Sequence, residues 1–145
     1  MELYKNSHIE IINEKYPDFF IEFVKSKGYK INSNQDKIRT LIDWNALDKK
    51  YSIPYYIENY REIIKNGLIN SAFGKQNSKV LVEFGPNEPM IKTTSKYFIE
   101  NWDDFILDYG TLGTTLITED GNLLMEFTDD TYYLLYSNFP IKVEK

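Results

Sequence analysis

Apolar positions recur at helical spacing through the first half of the chain and bunch into short β-branched runs through the second. Ser7 followed by Glu10 has the form of a capping box, in which each side chain satisfies the other residue's free backbone N–H. Ile9 and Ile12, then Phe19, Phe20, Phe23 and Val24, keep one helical face apolar. Pro17 splits this stretch, restarting a helix that ends at Gly28. Ser33 with Asp36 opens another helical segment carrying Ile38, Leu41 and Ile42, and Trp44, Leu47 and Tyr51 extend its pattern. "SIPYYIENYREIIKNG" reads as the clearest helix, with Pro54 in a first turn, Ile57, Tyr60, Ile63 and Ile64 on one stripe, and Gly67 as the stop.

Beyond that point the period changes. "KVLVEFG" (79–85) is β-branched, apolar and bounded by Gly and Pro, and predicts a strand. After the loop "PNEPMIKT", Thr94 or Ser95 caps a helix running to about Tyr109, closed by Gly110. Three strands follow near 114–119, 122–128 and 131–138, joined by Asp120-Gly121 and by "DDT" at 129–131; Asp-Gly accepts the positive φ of a tight hairpin turn. The pattern predicts an α+β fold: a helical N-terminal half followed by a β-α-β-β-β C-terminal half with a mainly antiparallel sheet. It predicts one domain over 1–145, mainly helical over 1–70, with the sheet over 79–140.

Composition narrows the chemistry. With no Cys and the single His8, disulfides, thiolate or His-cluster metal sites and most triad chemistry have no residues to use. "MELYKNSHIEI" lacks a signal-peptide pattern, and the longest apolar stretches, such as "FFIEFV", are too short to span a bilayer, so a cytoplasmic protein with no membrane partner is expected. Ile, Asn, Lys, Tyr and Phe number 17, 13, 15, 12 and 9, the signature of an A- and T-rich genome, bacterial or phage. The tyrosines therefore carry little weight as evidence of a binding surface.

Charge is segregated along the chain. The net charge is −5, and between Tyr97 and Ile141 stand nine carboxylates and no Lys or Arg. On a wheel for 95–109, Phe98, Trp102, Phe105, Ile106 and Tyr109 share one stripe, while Glu100, Asp103, Asp104 and Asp108 lie opposite, with Tyr97 and Leu107 among them. Glu100, Asp104 and Asp108 repel one another at i,i+4 spacing, and Asp108 sits at the dipole's unfavourable end, so stability alone would not choose the arrangement. A solvated face that keeps the protein soluble is the plain reading. The one-sidedness of the whole segment favours an interface for a basic protein, with Asp120, Asp129 and Asp130 on its rim.

These observations predict a non-catalytic binding protein without a cofactor, most simply an immunity protein or inhibitor that neutralises a basic toxin or nuclease. Two other classes are weighed. Residues 46–66 have the outline of a helix-turn-helix regulator, but the outer side of 54–66 shows Tyr55, Glu58, Asn59, Arg61, Glu62 and Lys65, which is charge-neutral and ill suited to nucleic acid. A small metal-dependent enzyme would use Asp103, Asp104 and Asp108, which do not converge on one point from a single helix. "EFGPNEP" (83–89) carries acids that would repel phosphate, and His8 has no triad partner at recognisable spacing. A homodimer through a sheet edge, with 79–85 or 131–138 pairing with a copy of itself, is a further arrangement the pattern allows.

Overall fold

Side chains alternate between the two faces of a strand, so a run such as "KVLVE", apolar at consecutive positions, can be satisfied only if both faces of its sheet are covered. That is how the chain folds. The computed structural model describes residues 7–12, 18–32, 40–56, 59–85, 89–109, 113–128 and 133–143, the side chains of Asp18, Asp108 and Tyr109 excepted. Its strands are β1 (Glu10–Ile12), β2 (Tyr51–Pro54), β3 (Lys79–Glu83), β4 (Met90–Thr94), β5 (Thr114–Thr118), β6 (Leu124–Phe127) and β7 (Leu134–Ser137). They form one sheet in the order β1-β4-β3-β5-β6-β7-β2, with every neighbouring pair antiparallel.

Val80, Val82, Ile91, Leu116, Met125, Phe127 and Leu135 project from one face into the larger core. They meet α2 (Tyr60–Ile69), α3 (Ala72–Gln76), α4 (Ser95–Glu100), α5 (Trp102–Asp104) and a π-helical turn (Phe105–Tyr109). Leu81, Met90, Ile117 and Leu124 project from the other face, against Phe20 and Val24 of α1 (Asp18–Ser26) and against Ile42 and Trp44 of an irregular segment that ends in a 3-10 turn (Trp44–Ala46). No helix among the described residues is long and apolar enough to cross a membrane.

This architecture corrects the expected one. Helices do not fill the N-terminal half, and the C-terminal half is not β-α-β-β-β. Glu10–Ile12, read as a capping box and helix start, pairs instead with Met90–Lys92. Tyr51–Pro54, read as helical, pairs with Leu134–Ser137. "MIKT" (90–93), read as the end of a loop, belongs to β4, whose Ile91 and Met90 supply opposite cores. Pro54 is accommodated because β2 is an edge strand, where a missing N–H leaves no ladder bond unmade. The outermost strands are β1 and β2; 79–83 and 134–137 are interior, which removes both strands considered above for self-pairing. The Ser33–Asp36 cap lies outside the described residues.

Gly67 is not a helix stop. α2 runs on to Ile69, and a Cβ at Gly67 would lie 3.0 Å from the Lys142 carbonyl, 3.1 Å from Ile141 Cγ2 and 3.3 Å from Val143 Cγ1. The glycine is there because residues 141–143 cross the helix at that point. Gly28, in contrast, follows α1 at φ +94°, the left-handed geometry of a helix terminator.

The second face is closed by a buried acid. Glu126 of β6 is 3% exposed, and its carboxylate accepts from Leu41 N (2.6 Å), Ile42 N (3.2 Å) and Trp44 Nε1 (2.9 Å). Across the sheet its row continues through Thr115 to Glu83, also buried and accepting from Gly85 N. Burial raises the Glu126 carboxyl from its ordinary 4.5 to about 7, and Glu83 pushes the same way, while the Leu41, Trp44 and Ile42 donors oppose.

A folded-state pKa above the unfolded one means that the native state holds the proton more tightly. The resulting stabilisation is complete below the ordinary value of 4.5 and is lost as pH rises through about 7. Thermal melts of the wild type should show stability falling across that window, by up to about 3 kcal/mol, and Glu126→Gln should flatten the dependence. An unchanged slope in the variant would assign the titration to another group.

Candidate functional site

An aromatic surface grows out of Tyr55, Tyr56 and Tyr60. Tyr55 turns inward at 3% exposure and donates its hydroxyl to the Thr128 carbonyl, tying the exit of β2 to the end of β6. Its neighbour Tyr56 turns outward and is 56% exposed. Asn59 then adopts φ 58°, a left-handed conformation that asparagine tolerates better than bulkier residues, and α2 begins at Tyr60. Tyr60 packs edge-on against Tyr56 at 5.0 Å and against Trp102 at 5.9 Å.

Tyr133 enters from the opposite side, just before β7. Its φ of 47° is strained for a bulky side chain, and its ring packs edge-on against Tyr56 at 5.3 Å and Tyr55 at 6.0 Å. Those contacts hold it there while leaving it 39% exposed. The rings of Tyr56, Tyr60 and Tyr133 thus form one cluster at the end of the sheet where β2, β6 and β7 meet the start of α2.

Charge borders the cluster. The Arg61 guanidinium lies 5.9 Å from the Tyr60 ring centre, and its Nε pairs with Asp103 Oδ2 at 2.8 Å. Trp102, buried beneath, donates Nε1–H to the Arg61 carbonyl at 3.1 Å and so locks α5 to the first turn of α2. Asp104 follows at once on α5.

The acidic stripe expected over 95–109 does not exist as one helical face. Thr94 caps α4 as expected, its side chain accepting from Tyr97 N, but the helix breaks at Asn101 (φ −125°, ψ 24°), restarts for three residues and widens into a π turn. Phe98, Trp102, Phe105 and Ile106 still reach the core, so burial is kept while the outer register shifts. Tyr97 is half-buried, its ring stacked on His8 at 4.6 Å; burial raises its hydroxyl pKa, and the charges of Asp104 and Glu100 add to that. Glu100 faces away from the tyrosines, into a cleft with Lys65 and Lys96. Leu107 is 40% exposed on the π turn, and the Asp108 side chain lies outside the described residues.

Asp120 stands elsewhere. It accepts from Thr118 Oγ1 (2.7 Å), Asn122 N (2.9 Å) and Gln76 Nε2 (2.7 Å), the first of these bonds doing most to hold its pKa below the usual carboxylate range. It organises the β5–β6 turn, at the opposite end of the hairpin from Tyr133. Asp129 and Asp130, although next to Tyr133 in sequence, lie outside the described residues.

The one-sided charge of 97–141 is therefore dispersed by folding. Glu126 is in the core, Glu119 pairs with Lys92 at 2.8 Å and Asp103 pairs with Arg61, each cation coming from an earlier part of the chain. Among the described residues no group of three or more His, Cys, Asp or Glu is placed to hold a metal ion. Among the described residues of 46–66 no helix-turn-helix is seen either, because strand β2 occupies 51–54, where the turn and the start of its second helix would fall.

The tyrosine cluster is what sequence reasoning missed. Its signal was three tyrosines in the six residues Tyr55–Tyr60, discounted there as genome composition.

Trp102→Phe removes the buried indole donor that ties α5 to the Arg61 carbonyl, and should cost about 1–2 kcal/mol in urea unfolding. Asp103→Asn breaks a pair whose arginine side chain is 68% exposed and solvent-screened, and should cost clearly less than Trp102→Phe in the same unfolding experiment. Equal costs would mean that the ion pair holds α5 in place and that Asp103 is not free to exchange partners. No family model matches the chain, and no curated protein or solved structure matches it either.

Proposed function

We propose that the protein is a non-catalytic inhibitor that binds a basic protein, a toxin or nuclease, through the tyrosine end of its sheet. The observation that carries this reading is the cluster of exposed Tyr56 and Tyr133 with half-buried Tyr60, bordered by the Arg61–Asp103 pair, with Asp104 next on the same turn. Tyrosine supplies large contact area at low entropic cost, and exposed tyrosines bordered by charge are the composition of interface hot spots.

The chemistry selects a cationic partner. Aromatic faces attract guanidinium and ammonium groups, and Arg61 already displays that contact on Tyr60. A partner arginine meets both a ring and a carboxylate here, and the net charge of −5 speeds its approach. The buried acids do not supply a competing catalytic pair, since Glu126 is engaged by three donors in the core. The interface moves from the acidic helix face to the sheet end: Asp103 and Asp104 stay in it, while Glu100 and Asp120 fall outside.

The test is in-cell photocrosslinking in the native host, with p-benzoylphenylalanine at 56 or 133, and at 120 as control. The expected result is one basic protein crosslinked from 56 and 133 but not from 120, whose toxicity on expression is relieved by the wild type. Tyr56→Ser with Tyr133→Ser should abolish relief, and raised salt should weaken the complex of the purified pair. Crosslinks only from 120, or full relief by the double variant, would sink the proposal.

A further inference from the structure

A cleft of about 630 Å³ opens between α2, α3 and α4, more than one helical turn along α2 from the tyrosine cluster. Its existence follows from close packing beside it. α3 abuts the end of α2 so tightly that a Cβ at Gly74 would lie 2.4 Å from the carbonyls of Leu68 and Ile69, and α4 leans against both helices through Phe98, whose ring meets Phe73 at 6.2 Å. Apolar surface is supplied by Ile99, buried, and by Ile69, which is 46% exposed.

Two cations line the same space. Lys65 is half-buried and Lys96 exposed, and neither ammonium has a hydrogen-bond or ion-pair partner among the described residues. Among the described residues Glu100 is the one carboxylate of the lining, so two lysines against it leave a single net positive charge. Lysines of this kind lay their aliphatic stems along apolar surface and leave their ammonium groups available to an anion in the cleft. The volume lies within the range of small-molecule sites.

We propose that this cleft binds a small organic monoanion with an apolar body, such as an aryl sulfonate or carboxylate. The anionic group sits between Lys65 and Lys96, and the apolar body covers Ile69 and Ile99. Glu100 sets the selectivity, because its charge disfavours ligands of higher charge such as polyphosphates. The site is independent of the tyrosine end and of the basic partner argued for there.

The experiment is a titration of the ¹⁵N-labelled full chain with 8-anilinonaphthalene-1-sulfonate, followed by amide shifts. Saturable shifts are expected around Lys65, Ile69, Gly74, Lys96 and Ile99 and not around Tyr56 or Tyr133. Lys96→Gln and Lys65→Gln should each weaken binding roughly 3- to 10-fold. Glu100→Gln should tighten it and narrow the preference over the dianionic bis-naphthalene analogue. Lys96 is exposed, so its variant keeps the fold and the test decisive even if Lys65→Gln does not. The proposal is overturned if the uncharged analogue N-phenyl-1-naphthylamine binds the same residues as tightly, if the shifts map elsewhere, or if neither lysine variant changes the affinity.

Discussion

Three N–H donors from one irregular stretch converge on the carboxylate of Glu126, and the second face of the sheet is closed by that convergence. Residues 40–44 offer no helix or strand ladder of their own to satisfy Leu41 N and Ile42 N, and buried donors left unmet would be costly. The acid meets that need from within the sheet, and the indole of Trp44 comes with it. With the segment docked, Ile42 and Trp44 complete the smaller core against α1, and β5 and β6 can be apolar on both faces. The acid, in turn, survives burial only because those donors are there.

That arrangement also explains what can be read from the sequence and what cannot. α1 was legible because its apolar spacing and Gly28 stop are local signals, and so was the β5–β6 hairpin, whose Asp-Gly turn is stated in two adjacent residues. β1, β2 and β4 were not. β1 has three residues and β2 four, too few for alternation to differ from helical spacing, and their pairing depends on partners about 80 residues away. The capping-box pattern at Ser7 and Glu10 was a real sequence feature overruled by tertiary pairing. In the acidic stretch, core positions were legible through their stripe, but the break at Asn101 and the π turn moved the outward residues beyond it, such as Asp103 and Leu107, from their places on a regular wheel.

Charge shows the same divide between chain and fold. A segment that is wholly acidic along the sequence becomes, in space, one core acid, two ion pairs with cations from earlier residues, and a turn organiser. Asp103 is left at the tyrosine end through its pair with Arg61, and Glu100 shares a cleft with two lysines. The aromatic cluster was hidden for a different reason: it is assembled from Tyr56, Tyr60 and Tyr133, and only closure of β2 onto β7 brings the first two to the third.

The placement of the edge strands sets an order of assembly. β3 through β7 pair with neighbours in their own half of the chain, whereas β1 and β2 from the first half can only be added to the outer strands β4 and β7. Joining residues so far apart carries a loop-closure cost that local hairpins avoid. During synthesis, then, the N-terminal half emerges without a template and waits, its apolar segments uncovered, until the five-stranded centre exists to receive it. A chain built this way matures from its middle outward, and its first half is the part that a chaperone would have most reason to hold.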